Sequence, residues 1–343
     1  LTEMLTALFV ALTAGAVLSY AASVISRRVG FLDRPGIEAH KQQVAPIPYG
    51  GGVAVILAIV AGLLAVGWVV PEGAAHKRYI AVFIGAAVLL LIGMWDDIRR
   101  LKPIPKVLLE LAVFIPVIVL GDVRITLFVP SYTFSLVVTL FWMVAVTNAF
   151  NLIDNHDGLA GGVGAIGAFF LALVCVMTGD MTAAFVLAAM AGGMSGFLLW
   201  NFPPARIYLG DAGTLPLGFL LASMGIIPSF YHSGIPGTHL AVLAPVFVLA
   251  VPLFDTTRVM LVRMLAGVNP FAADRRHFSH RLADLGLSPK AVAGVHYLFA
   301  GVAAAPAVVL KEVGLTGALV LLAQLFGTLL LILIVERASS GRR

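Results

Sequence analysis

Mostly uncharged, apolar stretches recur down the whole chain, at residues 4–25, 50–70, 78–95, 107–120, 134–150, 160–178, 181–200, 212–229, 239–262, 289–310 and 313–335. Each is close to the roughly 20 residues that a helix needs to cross a hydrocarbon layer about 30 Å thick. In lipid every backbone polar group must be satisfied internally, which leaves helices or closed barrels as the spanning structures. Stretches of this length are helical, so the expected fold is an all-α polytopic integral membrane protein with about eleven transmembrane helices. Composition agrees: 60% of the 343 residues are hydrophobic and 11% charged, with a mean hydropathy of +1.03. A soluble domain cannot hide that much apolar surface. One transmembrane domain over 1–343 is expected, with polar loops at about 26–49, 96–106, 148–159, 201–211 and 263–288.

The first stretch opens with LTEML and lacks the basic start and small-residue cleavage site of a secretory signal, so it is expected to remain as an anchor. A single cysteine, Cys175, excludes an internal disulfide.

Basic residues are distributed unevenly over alternate loops. Eighteen fall on one side: Arg27, Arg28, Arg34, Lys41, Arg99, Arg100, Lys102, Lys106, Arg206, Arg258, Arg263, Arg275, Arg276, Arg281, Lys290, Arg337, Arg342 and Arg343. Lys77, Arg78, Arg124 and Lys311 make four on the other. The richer side is expected to be cytoplasmic, placing the N-terminus outside and the C-terminus inside a bacterial cytoplasmic membrane. The net charge of +5 reads as topology and anionic-lipid contact. Its bases are dispersed without interleaved aromatics, which argues against nucleic acid.

Acids follow the bases. Asp33, Asp96, Asp97, Asp154, Asp157, Asp211, Asp255, Asp274 and Asp284 all lie on the expected cytoplasmic side. Four segments concentrate them. In GMWDDIRRLKPIPK, Asp96 and Asp97 end a membrane helix beside four bases, which suits a divalent cation or proton handling; solvated charges at a helix end are the alternative. In NAFNLIDNHDGLAGG, Asp154 and Asp157 are three apart and share a face if helical, with His156 off that face, while the glycines allow close backbone approach. In NFPPARIYLGDAGTLPLG, Pro203 and Pro204 end a helix and Asp211 precedes the next, where a phosphate or its metal is favoured; a helix cap is the alternative. In NPFAADRRHFSHRLADLGLS, His277, His280, Arg275, Arg276 and Arg281 suit an anion better than zinc, since no cysteine is near. Gly162, Gly164 and Gly167 spell a dinucleotide fingerprint but follow no strand, and are read as helix packing.

Taken in order from about Asp33 to Ser288, these segments, with PLFDTTRV, resemble the signatures of the bacterial polyprenyl-phosphate N-acetylhexosamine-1-phosphate transferases of glycosyltransferase family 4. The branch resembled takes UDP-GlcNAc and undecaprenyl phosphate; the phospho-MurNAc-pentapeptide transferases are cousins. The resemblance implies a reaction in which the lipid phosphate attacks the β-phosphorus of the UDP-sugar. Polyprenyl-diphosphate sugar and UMP result, as the first membrane step of an envelope polysaccharide, with Mg2+, or Mn2+ in its place, as cofactor. It also implies a homodimer as a candidate assembly.

Carried over by position, Asp211 becomes the metal ligand and Asp96, Asp97 and Asp154 the catalytic acids. Lys106 contacts phosphate, and Asn151 and Asn201 line the nucleotide-sugar pocket. Asp157 meets uracil, and Tyr208 stacks on it. His277, His280, Arg275 and Arg281 bind diphosphate or sugar, and Lys41 matches an early lysine at a longer spacing. Departures are Arg276 for glycine and Ser279 for the middle histidine of a G-H-L-H-H-R-L pattern, with Asn155 for a common glycine followed by His156. They bear on the sugar before the reaction type. Another UDP-N-acetylhexosamine or a phospho-MurNAc-pentapeptide donor, a secondary transporter, or a lipid-phosphate-binding pseudoenzyme are the competing readings.

Overall fold

A computed structural model describes residues 1–33, 45–126, 129–228, 238–268 and 277–340. Lys41, Arg275 and Arg276 lie outside them. Helix α1 (Thr2–Val29) ends at Gly30 in the left-handed region and leads into a two-residue strand, β1 (Leu32–Asp33), paired antiparallel with β2 (Ile47–Pro48). The helices that follow are α2 (Gly51–Ala65), α3 (His76–Arg99), α4 (Pro103–Val119), α5 (Tyr132–Ile153), α6 (Leu159–Thr178), α7 (Met181–Asn201) and α8 (Asp211–Met224). Then come α9 (Ala244–Val248), α10 (Ala250–Leu265), α11 (Phe278–Asp284), α12 (Pro289–Ala304), α13 (Pro306–Val309) and α14 (Leu315–Ser340). The all-α polytopic architecture is therefore as expected.

Among the described residues seven helices are long and apolar enough to cross a membrane, or up to eight if one bent pair counts as a single span. The expected eleven are not all recovered on length: α2, α4 and α8 have 15, 17 and 14 residues. The expected single span at 239–262 is instead broken between α9 and α10, with a 67° bend. Pro252 explains the position, because it cannot donate to the carbonyl of Val248 and its ring crowds that carbonyl.

Helices α6 and α7 form the centre, each with 72% of its most apolar window buried, whereas α1 and α14 have 22% and lie at the periphery. Large apolar side chains such as Leu64, Leu120 and Phe141 are about three-quarters exposed or nearly so, at 70, 74 and 74%. A water-soluble protein rarely presents such a surface, and lipid accounts for it. The central helices approach through small residues: a methyl at Gly192 or Gly196 of α7 would overlap backbone of α1. The glycines of the false dinucleotide motif serve the same end, Gly162 facing the Tyr297 ring and Gly164 facing Phe150 and Met194.

Successive long helices reverse direction. One end of the bundle consequently collects the C-terminal ends of α1, α3, α5 and α7 and the N-terminal ends of α2, α4, α6 and α8. Asp33, Asp96, Asp154 and Asp211 are brought together there. At the other end of α3, Lys77 and Arg78 reach Asp122, which also pairs with Arg124. Although desolvation opposes it, hydrogen bonds from Arg124 and Arg78 hold the Asp122 carboxyl below its usual range.

Candidate active site

Helix α8 is where the site begins. Gly210, at φ 69°, caps it and Asp211 is its first residue, as expected from the sequence. Two of its first backbone N–H groups are claimed by one side chain: Asp97 Oδ1 accepts from Asp211 N–H at 2.8 Å and Asp97 Oδ2 from Ala212 N–H at 3.1 Å. A carboxylate in that position satisfies orphan donors and meets the positive end of the helix dipole. Close approach of α3 to α8 is what permits the contact. Gly93, one turn before Asp97, faces the backbone of Asp211 and Ala212, where any side chain would overlap. Gly52 of α2 faces Gly213 in the same manner.

Asp96 does different work from its neighbour. Its Oδ1 accepts from Leu101 N–H at 2.5 Å, and its Oδ2 meets the Lys106 ammonium at 3.0 Å. Lys106, on α4, also reaches Asp211 Oδ2 at 2.5 Å and Asn151 Oδ1 at 3.1 Å. Asn151 in turn donates to Asp211 Oδ1 at 2.5 Å and to Thr214 Oγ1 at 2.7 Å. Four helices thus place one ammonium among oxygens of Asp96, Asp211 and Asn151. An ion pair so poorly solvated holds only because each charge has several partners: the side chains of Lys106 and Asp96 are 12 and 6% exposed. Asp33 at the β-ladder is fully buried and pairs with Arg100 at 3.3 Å.

The donor set suits a hard cation. Carboxylate and amide oxygens converge on one position, where they now surround an ammonium. Among the described residues no group of three or more His, Cys, Asp or Glu has the spacing of a closed metal cage. Mg2+ needs none, since it keeps several waters and takes one or two carboxylates plus substrate phosphates.

The expected helical pairing of Asp154 and Asp157 is not what forms. α5 ends at Ile153, with Asp154 capping it, because the chain turns through residues 154–158 and Gly158 takes φ 79°. Asp157 Oδ2 accepts from Ala205 N–H at 2.9 Å. Asn201 is buried and fully engaged within the protein, its Oδ1 accepting from Gly158 N–H and its Nδ2 donating to Ile207 carbonyl, both at 2.9 Å. It acts on the pocket by tying two loops together. Tyr208 belongs to the same cluster: burial pushes its phenol up, and the carboxylates of Asp157, Asp33 and Asp154 add to the shift.

At α11, His277 and His280 do not face each other as their spacing allowed. His277 caps α11 and its Nδ1 meets Asp255 Oδ2 at 2.7 Å, while Asp255 Oδ1 accepts from Phe278 N–H at 2.9 Å. His280 packs against His156, with ring centroids 4.7 Å apart. His156, placed off the functional face by sequence spacing, therefore sits within the cluster; the turn at 154–158 reorients it. Arg281 follows on α11.

Sequence reading missed two contributors. Glu110 is completely buried one helical turn beyond Lys106 and accepts from Asn148 Nδ2 at 2.6 Å. Asp255 carried no assigned role, although its place in PLFDTTRV marked it. A buried acid on an apolar helix is itself a signal. Glu110, inside the expected span 107–120, gave that signal.

The fold and this acid, amide and lysine cluster define a polytopic membrane protein with a buried charged site at one face. Residues 79–229 match the profile of glycosyl transferase family 4. The chain is 32% identical over 295 residues to the probable undecaprenyl-phosphate N-acetylglucosaminyl 1-phosphate transferase of Bacillus subtilis (strain 168), covering 84% of this chain and 79% of that one. Similarity extends to the decaprenyl-phosphate N-acetylglucosaminephosphotransferase of Mycobacterium leprae (strain TN), at 29% identity over 86% of this chain and 81% of that one. The undecaprenyl-phosphate alpha-N-acetylglucosaminyl 1-phosphate transferase of Escherichia coli (strain K12) is 25% identical, over 78 and 72%. The chain belongs to glycosyl transferase family 4.

Proposed function

We propose that the chain transfers N-acetylglucosamine 1-phosphate from UDP-GlcNAc to a polyprenyl phosphate, undecaprenyl phosphate foremost, releasing UMP. The observation that carries this reading is the convergence of Asp96, Asp211 and Asn151 oxygens on the Lys106 ammonium at one end of the bundle. Transfer of a sugar 1-phosphate from a diphosphate donor to a lipid phosphate needs such a site, where anion and cation are handled together at the lipid boundary. The names of the relatives carry the polyprenyl-phosphate acceptor and the N-acetylglucosaminyl 1-phosphate group; the UDP carrier follows from the motif resemblance.

In this reading Asp211, with Asn151 holding its carboxylate, is the metal ligand. Mg2+ held there would supply neutralisation of the charge developing on the phosphates. Lys106 contacts phosphate, and Asp96, its partner, lies at the acceptor side. Asp97, already engaged with the α8 amides, orients Asp211 and serves the chemistry through it. Tyr208 and Asp157 form the uracil end with Asp154 and Asn201, and α11 the diphosphate and sugar end. Lys41 and Arg275 remain assigned by resemblance. A lipid phosphomonoester with a second pKa of about 6 is mostly dianionic at neutral pH, so holding it in line with the β-phosphorus matters more than removing its proton.

The orientation follows the bases. Arg27 and Arg28 end α1, Arg99 ends α3, Arg263 ends α10 and Arg337 ends α14, all at the site's end of the bundle, which the positive-inside rule makes cytoplasmic. Counting the short α2, α4 and α8 and the bent α9–α10 pair as passes gives eleven spans, with the N-terminus outside a bacterial cytoplasmic membrane.

The deciding assay is UMP release by the purified chain with Mg2+, undecaprenyl phosphate and a panel of UDP-sugars. Release from UDP-GlcNAc that depends on the lipid phosphate is the expected result. Folded protein that releases none, from any sugar in the panel, refutes the reading.

A further inference from the structure

Glu110 is a completely buried acid within α4. An acid at membrane depth is expensive and marks a function by default. Its Oε2 accepts from Asn148 Nδ2 at 2.6 Å. Its Oε1 is buried and, among the described residues, accepts no hydrogen bond. Lys106 stands four residues earlier on the same helix face, where Cβ atoms are about 5–6 Å apart. Side chains of a helix lean toward its N-terminus, which turns Glu110 toward the lysine, and Glu110 lies within electrostatic reach of Lys106, Asp96 and Asp211. Helices α4 and α5 are joined by two rungs at this level, Lys106 to Asn151 at 3.1 Å and Glu110 to Asn148 at 2.6 Å. The first rung belongs to the cluster at Asp211, and the second has no role there.

From these rungs we infer that Glu110 is a positioning residue, the acid that receives the Lys106 ammonium when a divalent cation takes its place on Asp211. The inference rests on the transferase reading, in which Asp211 is the metal ligand, and adds to it a residue without a role so far.

Two demands on the cleft conflict without such an acid. Asp211 Oδ2 holds the ammonium at 2.5 Å, and a dication on the same oxygen would repel it at a few ångströms. Yet Lys106 has to stay in the cleft if it is to meet a phosphate. Its side chain is 12% exposed, so a retreat into water takes it out of the site. A retreat of one turn along α4, about 5.4 Å, keeps it there, and its four-carbon stem is flexible enough to make it. Glu110 Oε1 offers an open acceptor of opposite charge at that level. The charges also balance. With Glu110 ionised, Asp96, Asp211 and Glu110 share the single Lys106 ammonium, and a dication added to three carboxylates and one ammonium brings their sum to zero. Asp97 stands outside this count because the α8 amides hold it.

The test is calorimetric binding of Mn2+ to the full chain in detergent, which needs no turnover. Glu110→Gln keeps an oxygen for Asn148 and removes only the charge. It is expected to raise the Kd for Mn2+ about tenfold, because the displaced ammonium then has no acid to receive it, while the metal-free melting temperature stays unchanged. In a Lys106→Met background there is no ammonium to move, so adding Glu110→Gln leaves the Kd where it was; a double-mutant cycle of this kind isolates the pair. An unchanged Kd in Glu110→Gln overturns the inference, with or without a fall in melting temperature. So does the same tenfold loss in the Lys106→Met background, which would make Glu110 only a distant charge on the metal. An experimental structure of wild type with Mn2+ decides without any substitution, and so holds even where a variant does not fold. Lys106 Nζ within about 4 Å of Glu110 Oε1, ion-pair distance, supports the inference, and Nζ still on Asp211 or turned to solvent overturns it, as does wild type that binds no Mn2+. If wild type binds Mn2+ but releases no UMP from any UDP-sugar, the transferase reading fails by itself and the Mn2+ results still decide on Glu110.

Discussion

Lys106 and Asp211, 105 residues apart in sequence, meet at 2.5 Å, and the same ammonium is 3.0 Å from Asp96. One cation therefore compensates two carboxylates in a poorly solvated cleft. Removing one partner of such a group leaves charge buried without compensation, at a cost of about 3 kcal/mol. Lys106→Met is expected to lower the melting temperature in detergent and to abolish transfer. Added Mg2+ raises its melting temperature more than that of wild type, because the metal fills the ammonium's place. A melting temperature in Lys106→Met equal to wild type without metal contradicts this account.

Gly93 tests the approach of α3 to α8 independently of charge. A methyl there overlaps the carbonyl of Asp211, and backbone cannot yield as a flexible side chain does. Gly93→Ala is expected to cost about 1–3 kcal/mol by overpacking. Activity falls further than stability, because the displaced groups are Asp97's contacts with the α8 amides. Thermal melting and UMP release on the same preparation check both.

Much of this was legible in the sequence, and the failures have causes. The ends of α3, α6 and α7 fall close to the expected spans because apolar length alone sets them. Pro203 and Pro204 do end α7, and Asp211 does begin α8. Lys106, Asp96, Asn151 and Asp211 were all candidates, but no spacing shows that one lysine bridges residues from three other helices. Asp97 looked like its neighbour, and only the approach of α8 separates a capping carboxylate from one facing the cleft. His156 was misplaced because helical periodicity was extended past Ile153 into a turn. The break before α10 was foreshadowed by Pro252, yet its 67° bend depends on packing.

Asp255 holds α11 by two bonds, one to the His277 ring and one to Phe278 N–H. Asp255→Ala loses both, and a lost helix cap alone is worth about 1 kcal/mol. Its donor KM is expected to rise with little change in lipid KM if, as proposed, α11 serves the donor side. Asp255→Asn keeps an oxygen for the Phe278 amide and should recover part of the stability, measured by melting. Equal damage by both substitutions contradicts the two-bond account.

Tyr208 is held by its backbone, donating to Pro48 carbonyl at 2.9 Å and accepting from Gly51 N–H at 3.0 Å. Its position survives side-chain changes, which makes the ring's role separable. If it stacks on uracil, Tyr208→Phe retains most UDP-sugar binding, whereas Tyr208→Ala weakens it by roughly 1–3 kcal/mol, the range for base–aromatic stacking. Calorimetry with UDP distinguishes the two, and equal binding by both variants refutes stacking.

Asp211→Asn separates metal binding from structure most directly. The amide oxygen can still accept from Asn151 Nδ2, so that bond survives, and Asp97 still caps α8 through the backbone. What is lost is the charge and the second acceptor, both of which a hard cation requires. A metal supplying several kcal/mol of charge stabilisation makes the loss at least about a hundredfold in UMP release. In wild type, chelation by EDTA should produce the same loss, reversed by Mg2+. Calorimetric Mn2+ binding, strong in wild type and absent in folded Asp211→Asn, locates the ion without reference to turnover. A variant that binds Mn2+ as wild type does would move the ligand role to Asp96, the other carboxylate on the Lys106 ammonium.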